Sequence, residues 1–375
     1  MLTIPKTMRA VVYRGPNDLR VETLPVPHIR AGEILVRVAV CGVCPTDIKK
    51  IHYGTVPPPR VFGHETAGTI VQTGALVRGF RAGDRVALHH HIPCLGCHAC
   101  RHRAFAQCAQ YKRTGITAGF EPAGGGYAEY VRVMPFVLPG VVKIPAGNSF
   151  AEGAMLEPVN TVLKAVKRLA LLPEDTVLVA GQGPIGLMFT RLLSLQGIKV
   201  LATDLLETRL RLAKAFGARH LFQPASPSDG PAPLSARKNP KGTHDSIESL
   251  VERITRGRGF DAAVIAVPSA DVVRQAQRLV RGAGQVLLFS HTKRGEHAEM
   301  DLATICVDEK DLIGSYSADV TLQREVAQLI FTRKFDVRQL ITHEFPLGQT
   351  AKAVHLAAHP SAESLKVVVV QNSVT

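Results

Sequence analysis

The sequence predicts an α/β protein in which a doubly wound parallel sheet accompanies a β-rich domain that holds metal. Three observations predict it. A glycine-rich strand–turn–helix unit occupies residues 177–204, a βα alternation runs on from it to about residue 295, and short β-rich segments precede a cluster of cysteines.

The glycine-rich unit opens with Val177-Leu178-Val179-Ala180, a short apolar run suited to a buried parallel strand. Gly181-Gln182-Gly183-Pro184-Ile185-Gly186 follows in a G-x-G-x-x-G pattern. The first glycine permits a tight turn, the second lets backbone approach a pyrophosphate, and the third lets helix pack closely on strand. Pro184 suits a first helical turn, where its missing N–H costs little. Gly197 ends that helix, and a second apolar strand delivers Asp204 about 20 positions beyond the glycines. An acid there accepts from a free ribose 2′-OH and repels a 2′-phosphate, so NAD is expected over NADP. Arg209 lies close enough in sequence to soften that preference, or serves as an ordinary solvated helix residue. Val267 and Phe289, with Ile185, are further candidate cofactor contacts.

At 375 residues the chain suits two domains. Hydrophobic residues make up 46% and charged residues 20%, the balance of a soluble globular protein, and no apolar run approaches the roughly 18–20 residues of a membrane span. The start, Met1-Leu2-Thr3-Ile4-Pro5-Lys6, has no signal-type apolar core, so the cytoplasm is the expected compartment. A formal net charge of +14 admits nucleic-acid binding, but basic runs stay short and aromatic interleaving is sparse. Basic residues on solvated helix faces account for the charge, and nucleic acid is not an expected partner. Of seven cysteines, six lie between Cys41 and Cys108. An odd, clustered set argues for metal ligation over a disulfide framework.

In chain order, β-rich runs at residues 9–13, 19–23 and 33–40 are punctuated by Pro25, Pro27 and Gly32. Cys41-Gly42-Val43-Cys44-Pro45-Thr46-Asp47 follows, and then Gly63-His64-Glu65. Thiolate, imidazole and carboxylate are the donors of an open catalytic zinc site. Further strands are expected at 69–74 and 84–89. The run His89-His90-His91 receives no role. Cys94, Cys97, Cys100 and Cys108 are spaced for a closed tetrahedral zinc, with no position left for substrate, so that ion is structural. Glu157, before Pro158 and among apolar neighbours, needs a partner; the catalytic metal is one candidate and a helix N-terminal role the other. Residues 224–243 are too polar to bury and read as a surface loop. Helices at 246–255, 271–280 and 322–332 and strands at 260–267, 284–290 and 366–370 complete the pattern.

These motifs, in this order and spacing, resemble the zinc-containing medium-chain dehydrogenase/reductase family, in particular its polyol (sorbitol-like) and threonine dehydrogenase branch. The resemblance covers nearly the whole chain apart from residues 224–243. It implies a GroES-like catalytic domain built from both chain ends, with a Rossmann NAD-binding domain inserted. The implied bounds are 1–160 (with a zinc lobe at 90–112), 161–297 and 298–375. It also implies two zinc ions per chain. Cys44, His64, Glu65 and Glu157 match the catalytic shell, directly or through water. Cys94, Cys97, Cys100 and Cys108 match the structural ligands. Gly181, Gly183, Gly186 and Asp204 match nucleotide positions, and Thr46 matches the hydroxyl that relays the substrate proton. Where the family often has a histidine at the outer end of that relay, this chain has Lys49; the relay ends there, at His52 or in water.

The implied activity is reversible hydride transfer between an alcohol and NAD, with a homodimer or homotetramer as the usual assembly. The rivals are a zinc- and NAD-dependent lyase or epimerase on the same scaffold, a basic nucleic-acid-binding zinc protein and a retired homologue. Substrate choice is assigned to loops at 51–56, 119–122 and 290–294, where Thr55, Glu121 and His291 favour a polyol or sugar.

Overall fold

The computed structural model describes residues 3–89, 91–111, 125–224, 246–290 and 295–371, with the backbone of 116–117, 237–238 and 244–245. The chain forms two compact units, residues 1–161 with 318–375, and residues 162–317.

In the second unit six parallel strands lie in the order His220–Phe222, Lys199–Thr203, Thr176–Ala180, Phe260–Ile265, Val280–Leu288 and Asp311–Gly314. Numbered within the sheet, this is the doubly wound order 3-2-1-4-5-6. Thr176–Ala180 and Phe260–Ile265 are buried along their whole length, which is why they read as largely apolar runs, with only Thr176 and Asp261 polar. Helices start where short polar side chains cap free N–H groups: Ser246 bonds Ser249 N and Ser269 bonds Val272 N. The expected return to the first unit at residue 298 needs correction. Residues 298–317 stay with the nucleotide sheet, because Asp311–Gly314 supplies its sixth strand. That strand is short and partly exposed, so it lacked the apolar signature of its neighbours. Most of the 224–243 segment lies outside the described residues.

The first unit is β-rich. Ile34–Gly42 is its central strand, flanked antiparallel by Glu65–Thr73 and by Lys366–Val370, the latter brought from the other end of the chain. A second sheet pairs Thr7–Gly15 with Asp18–Pro25 and Arg60–Val61. Tyr13, Ile34, Leu35, Ile70 and Tyr127 are among the fully buried side chains of the core. The first strand of sequence 65–73 begins earlier than expected, so Glu65 is a strand residue facing the core.

Candidate active site

The catalytic-metal candidates converge at one end of the central strands. Cys41 closes the Ile34–Gly42 strand, and Cys44 caps the helix Pro45–Tyr53, its Sγ accepting from Thr46 N at 3.4 Å. Gly63 adopts φ +99°, and a Cβ there would crowd Cys41 Sγ at 2.7 Å and Tyr127 N at 2.9 Å. Only glycine turns the chain so sharply before His64. Cys44, His64 and Glu65 each present a donor atom, all within 4.8 Å of one another.

Charge in this cluster calls for a cation. Asp47, 2% exposed at its side chain, accepts from His64 Nδ1 at 3.0 Å and from Gly63 N at 3.2 Å. Burial pushes Asp47 up, but His64, Lys50 and the Gly63 N–H outweigh it and hold Asp47 below its ordinary value. Burial likewise opposes charge on His64, yet Asp47 and Cys44 raise it well above the usual histidine range. The carboxylate–imidazole pair leaves Nε2 as the ligand nitrogen, the arrangement that orients metal-bound histidines. A sulfur, an imidazole and a carboxylate so close fit zinc.

Lys366 was missed by sequence reasoning. Its Nζ lies 2.6 Å from Glu65 Oε1 and 2.5 Å from Oε2, and donates to Val43 O at 3.0 Å. The available signal was a lone charge leading four valines in a strand. Glu157 sits in the first turn of the helix Leu156–Val166, and Thr161 donates to its carbonyl at 3.1 Å. Burial, partly offset by His64, lifts its carboxyl to about 7. Glu157 lies outside the 4.8 Å donor set, within electrostatic reach of His64, Glu65 and Lys366. Thr46 and Lys49 are half-buried on the helix Pro45–Tyr53, whereas His52 is exposed and meets Asn17 Oδ1 at 3.3 Å. The uncommitted His89-His90-His91 run divides. His89 is fully buried against Gln323, His91 stacks on Tyr111, and His90 lies outside the described residues.

In the lobe, Cys97 Sγ and Cys100 Sγ are 3.5 Å apart and Cys94 Sγ and Cys100 Sγ 3.9 Å, near the ~3.8 Å edge of a zinc–sulfur tetrahedron. All four sulfurs fall within 4.8 Å of one another. Burial raises Cys108, but N–H groups of Cys94 and Tyr111 outweigh it and bring the thiol down to about 6. Backbone donors that favour thiolate suit a metal knuckle.

In the second unit Gly181 adopts φ +90°, and a Cβ there would strike Val267. A Cβ on Gly183 would meet none of the described residues within 4 Å, which leaves room for a phosphate above the turn. Gly186 packs onto Gly181 O, and Pro184 and Ile185 open the helix Pro184–Ser194. Asp204 Oδ2 accepts from Gln182 N at 2.6 Å and Oδ1 from Leu206 N at 2.9 Å. Arg209 lies 4.0 Å from the same carboxylate, and among the described residues its buried Nε has no partner. Phe289 packs edge-on to Phe189, centroids 5.0 Å apart. Gln182, fully buried and bonded to Val179 O and Thr190 Oγ1, braces the turn from inside. These residues fit a dinucleotide. Residues 119–122 and 291–294, with Glu121 and His291, lie outside the described residues.

Comparison with known proteins agrees with this geometry. Residues 30–146 match the family description Alcohol dehydrogenase GroES-like domain, and residues 184–332 match Zinc-binding dehydrogenase. Sorbitol dehydrogenase of Bacillus subtilis is 29% identical over 99% of both chains. Erythritol/L-threitol dehydrogenase of Mycolicibacterium smegmatis is 28% identical over 97% of this chain and 98% of its own. A structure from Sinorhizobium meliloti 1021, described as a zinc-binding dehydrogenase bound to NADP, superposes with TM-score 0.81 at 26% identity, covering 98% of this chain and 100% of that one. The chain belongs to the zinc-containing medium-chain dehydrogenase/reductase family.

Proposed function

We propose that this enzyme is a polyol dehydrogenase that exchanges a hydride between a carbinol carbon and NAD at a zinc centre formed by Cys44, His64 and Glu65, with Glu157 beside it. The observation that carries the reading is the convergence of those three donors within 4.8 Å, in a chain that also has a dinucleotide turn. When bound, zinc supplies the Lewis acidity that makes a substrate hydroxyl acidic near neutral pH, and NAD supplies the hydride acceptor.

The chain's own residues do the rest. Asp47 fixes the His64 ring through Nδ1, and Lys366 holds the Glu65 carboxylate. Thr46 Oγ1 takes the substrate proton; because His52 is tied to Asn17, the proton leaves through Lys49 or water. Gly181, Gly183 and Gly186 seat the pyrophosphate, and Asp204 takes the ribose 2′-OH, favouring NAD. The Cys94, Cys97, Cys100 and Cys108 ion serves only to hold its lobe together.

The assembly is a homodimer or homotetramer. Asp311–Gly314 is the outer strand of the parallel sheet, and Leu302, Val307, Leu312 and Tyr316 are exposed on and near it. An unpaired strand edge with apolar surroundings is a natural contact for a second copy. The free cysteines suit the reducing cytoplasm. Among the described residues no helix is long and apolar enough to cross a membrane.

The test is NADH production by the zinc-loaded enzyme with sorbitol, erythritol, xylitol, threonine and simple alcohols. NADH from polyols supports the reading; no NADH from any alcohol overturns it.

A further inference from the structure

Among the described residues of the first unit, two pairs of exposed histidines lie one helical turn apart, outside both metal clusters. His98 and His102 stand 4.5 Å apart between ring centroids, and His355 and His359 stand 4.7 Å apart with 35° between planes. Side chains four residues apart on a helix share a face, the spacing at which two imidazoles grip one ion.

The second pair is the better built. It closes the helix Thr350–Ala358, whose C-cap is His359. His359 Nδ1 donates to His355 O at 3.2 Å, and the backbone N–H of His359 donates to the same oxygen at 3.0 Å. With Nδ1 carrying the proton, the neutral ring keeps its lone pair on Nε2, so the ligand nitrogen is selected before any ion arrives. The exposed His355 ring turns about a broad χ2 and brings a nitrogen round at little cost. A metal–nitrogen bond of ~2.0–2.1 Å, with about 1.2 Å more to the ring centre, sets two imidazoles on one ion roughly 4.5–5.2 Å apart. The observed 4.7 Å falls within that range. The negative end of the helix dipole lies at the same place and favours a cation. His98 and His102 lack these features: their helix, His98–Arg101, has only four residues, and Arg101 and Arg103 beside them are exposed cations.

We propose that His355 and His359 form an accessory zinc site, separate from the Cys44 and Cys94 clusters. No third histidine, cysteine or carboxylate donor joins them within 4.8 Å among the described residues, so water completes the shell. Imidazole and water together suit zinc. The ion ties down the last turn of a helix whose inner residues, Ala353 and Val354, belong to the core that also holds Val43 and Ile51. Val43 precedes Cys44, and Ile51 lies on the helix Pro45–Tyr53 that Cys44 caps. Occupancy therefore steadies the catalytic unit from its surface, with no ligand entering the reacting centre. The site stands whether or not the chain oxidises polyols.

The experiment titrates zinc chloride into the holoenzyme, freed of loose metal by gel filtration, and follows heat and bound zinc per chain. Wild type, His355→Gln, His359→Gln and His98→Gln are compared, the fold of each checked by circular dichroism. Wild type should take up one further ion per chain and melt at a higher temperature when it does. His355→Gln and His359→Gln should each weaken that uptake by about tenfold or more, because one ligand of a chelating pair is gone. His98→Gln should leave it unchanged. Absence of a further ion in wild type overturns the proposal whatever the variants do. So does uptake that survives both His355→Gln and His359→Gln, or an equal loss in His98→Gln, which would place the ion on the cysteine lobe.

Discussion

Lys366 and Glu65 form a buried ion pair across 301 residues of chain, Nζ lying 2.5 Å from Oε2, with side-chain exposures of only 6% and 2%. Burial works against the charge on Lys366, and Glu65 restores it, raising the ammonium pKa. An unpaired charge in that position is costly, so the pair acts as one element of the metal site.

Lys366→Met should therefore strand the Glu65 carboxylate and destabilise the first unit by about 3–5 kcal/mol. Lys366→Arg should retain most of the stability. Denaturant midpoints of the two variants check this, and equal midpoints would show that the pair contributes little.

Cys44→Ser and Cys97→Ser should separate the two metal roles. The first should abolish turnover while leaving the fold, NAD binding and one zinc per chain. The second should lower the melting temperature and release the lobe zinc. Metal analysis beside thermal melts reads both, and an unchanged melt for Cys97→Ser would count against a structural ion.

Asp204→Ala should weaken NAD by tenfold or more and NADP by less. The carboxylate also accepts from Gln182 N and Leu206 N, so some loss with both cofactors is expected from a loosened turn. Equal losses would remove Asp204 from the ribose contact. Fluorescence titration of each reduced cofactor measures the difference.

His89 predicts acid lability. Burial pushes its pKa down to about 4, only partly opposed by its bond to Gln323. The unfolded imidazole titrates near ~6.5, so between that pH and about 4 the unfolded chain binds the extra proton. The contribution is fully present above ~6.5 and disappears as pH falls toward 4, on the order of 3 kcal/mol in all. Thermal melts from pH 7 to 4 should show this decline, and His89→Gln should flatten it.

The nucleotide half was legible because its signals are local. Val177 to Ala180, the three glycines and Asp204 lie on one continuous stretch, and each has a backbone reason to be where it is. The four lobe cysteines were legible for the same reason. Lys366 was not, because its place in the site depends on a partner far away in sequence, Glu65. Asp47 was visible as part of a motif, but its bond to the His64 ring needed the fold. The boundary near residue 298 failed because Asp311–Gly314 is an outer strand with exposed side chains.

Because the Lys366–Val370 strand lies against Ile34–Gly42, the catalytic half cannot close early during synthesis. Some three hundred residues of polypeptide emerge from the ribosome after Glu65 before its counter-charge exists. Until then the acid that helps grip the metal stands uncompensated, so the metal pocket matures only once Lys366 has been made, after the sixth strand of the nucleotide sheet.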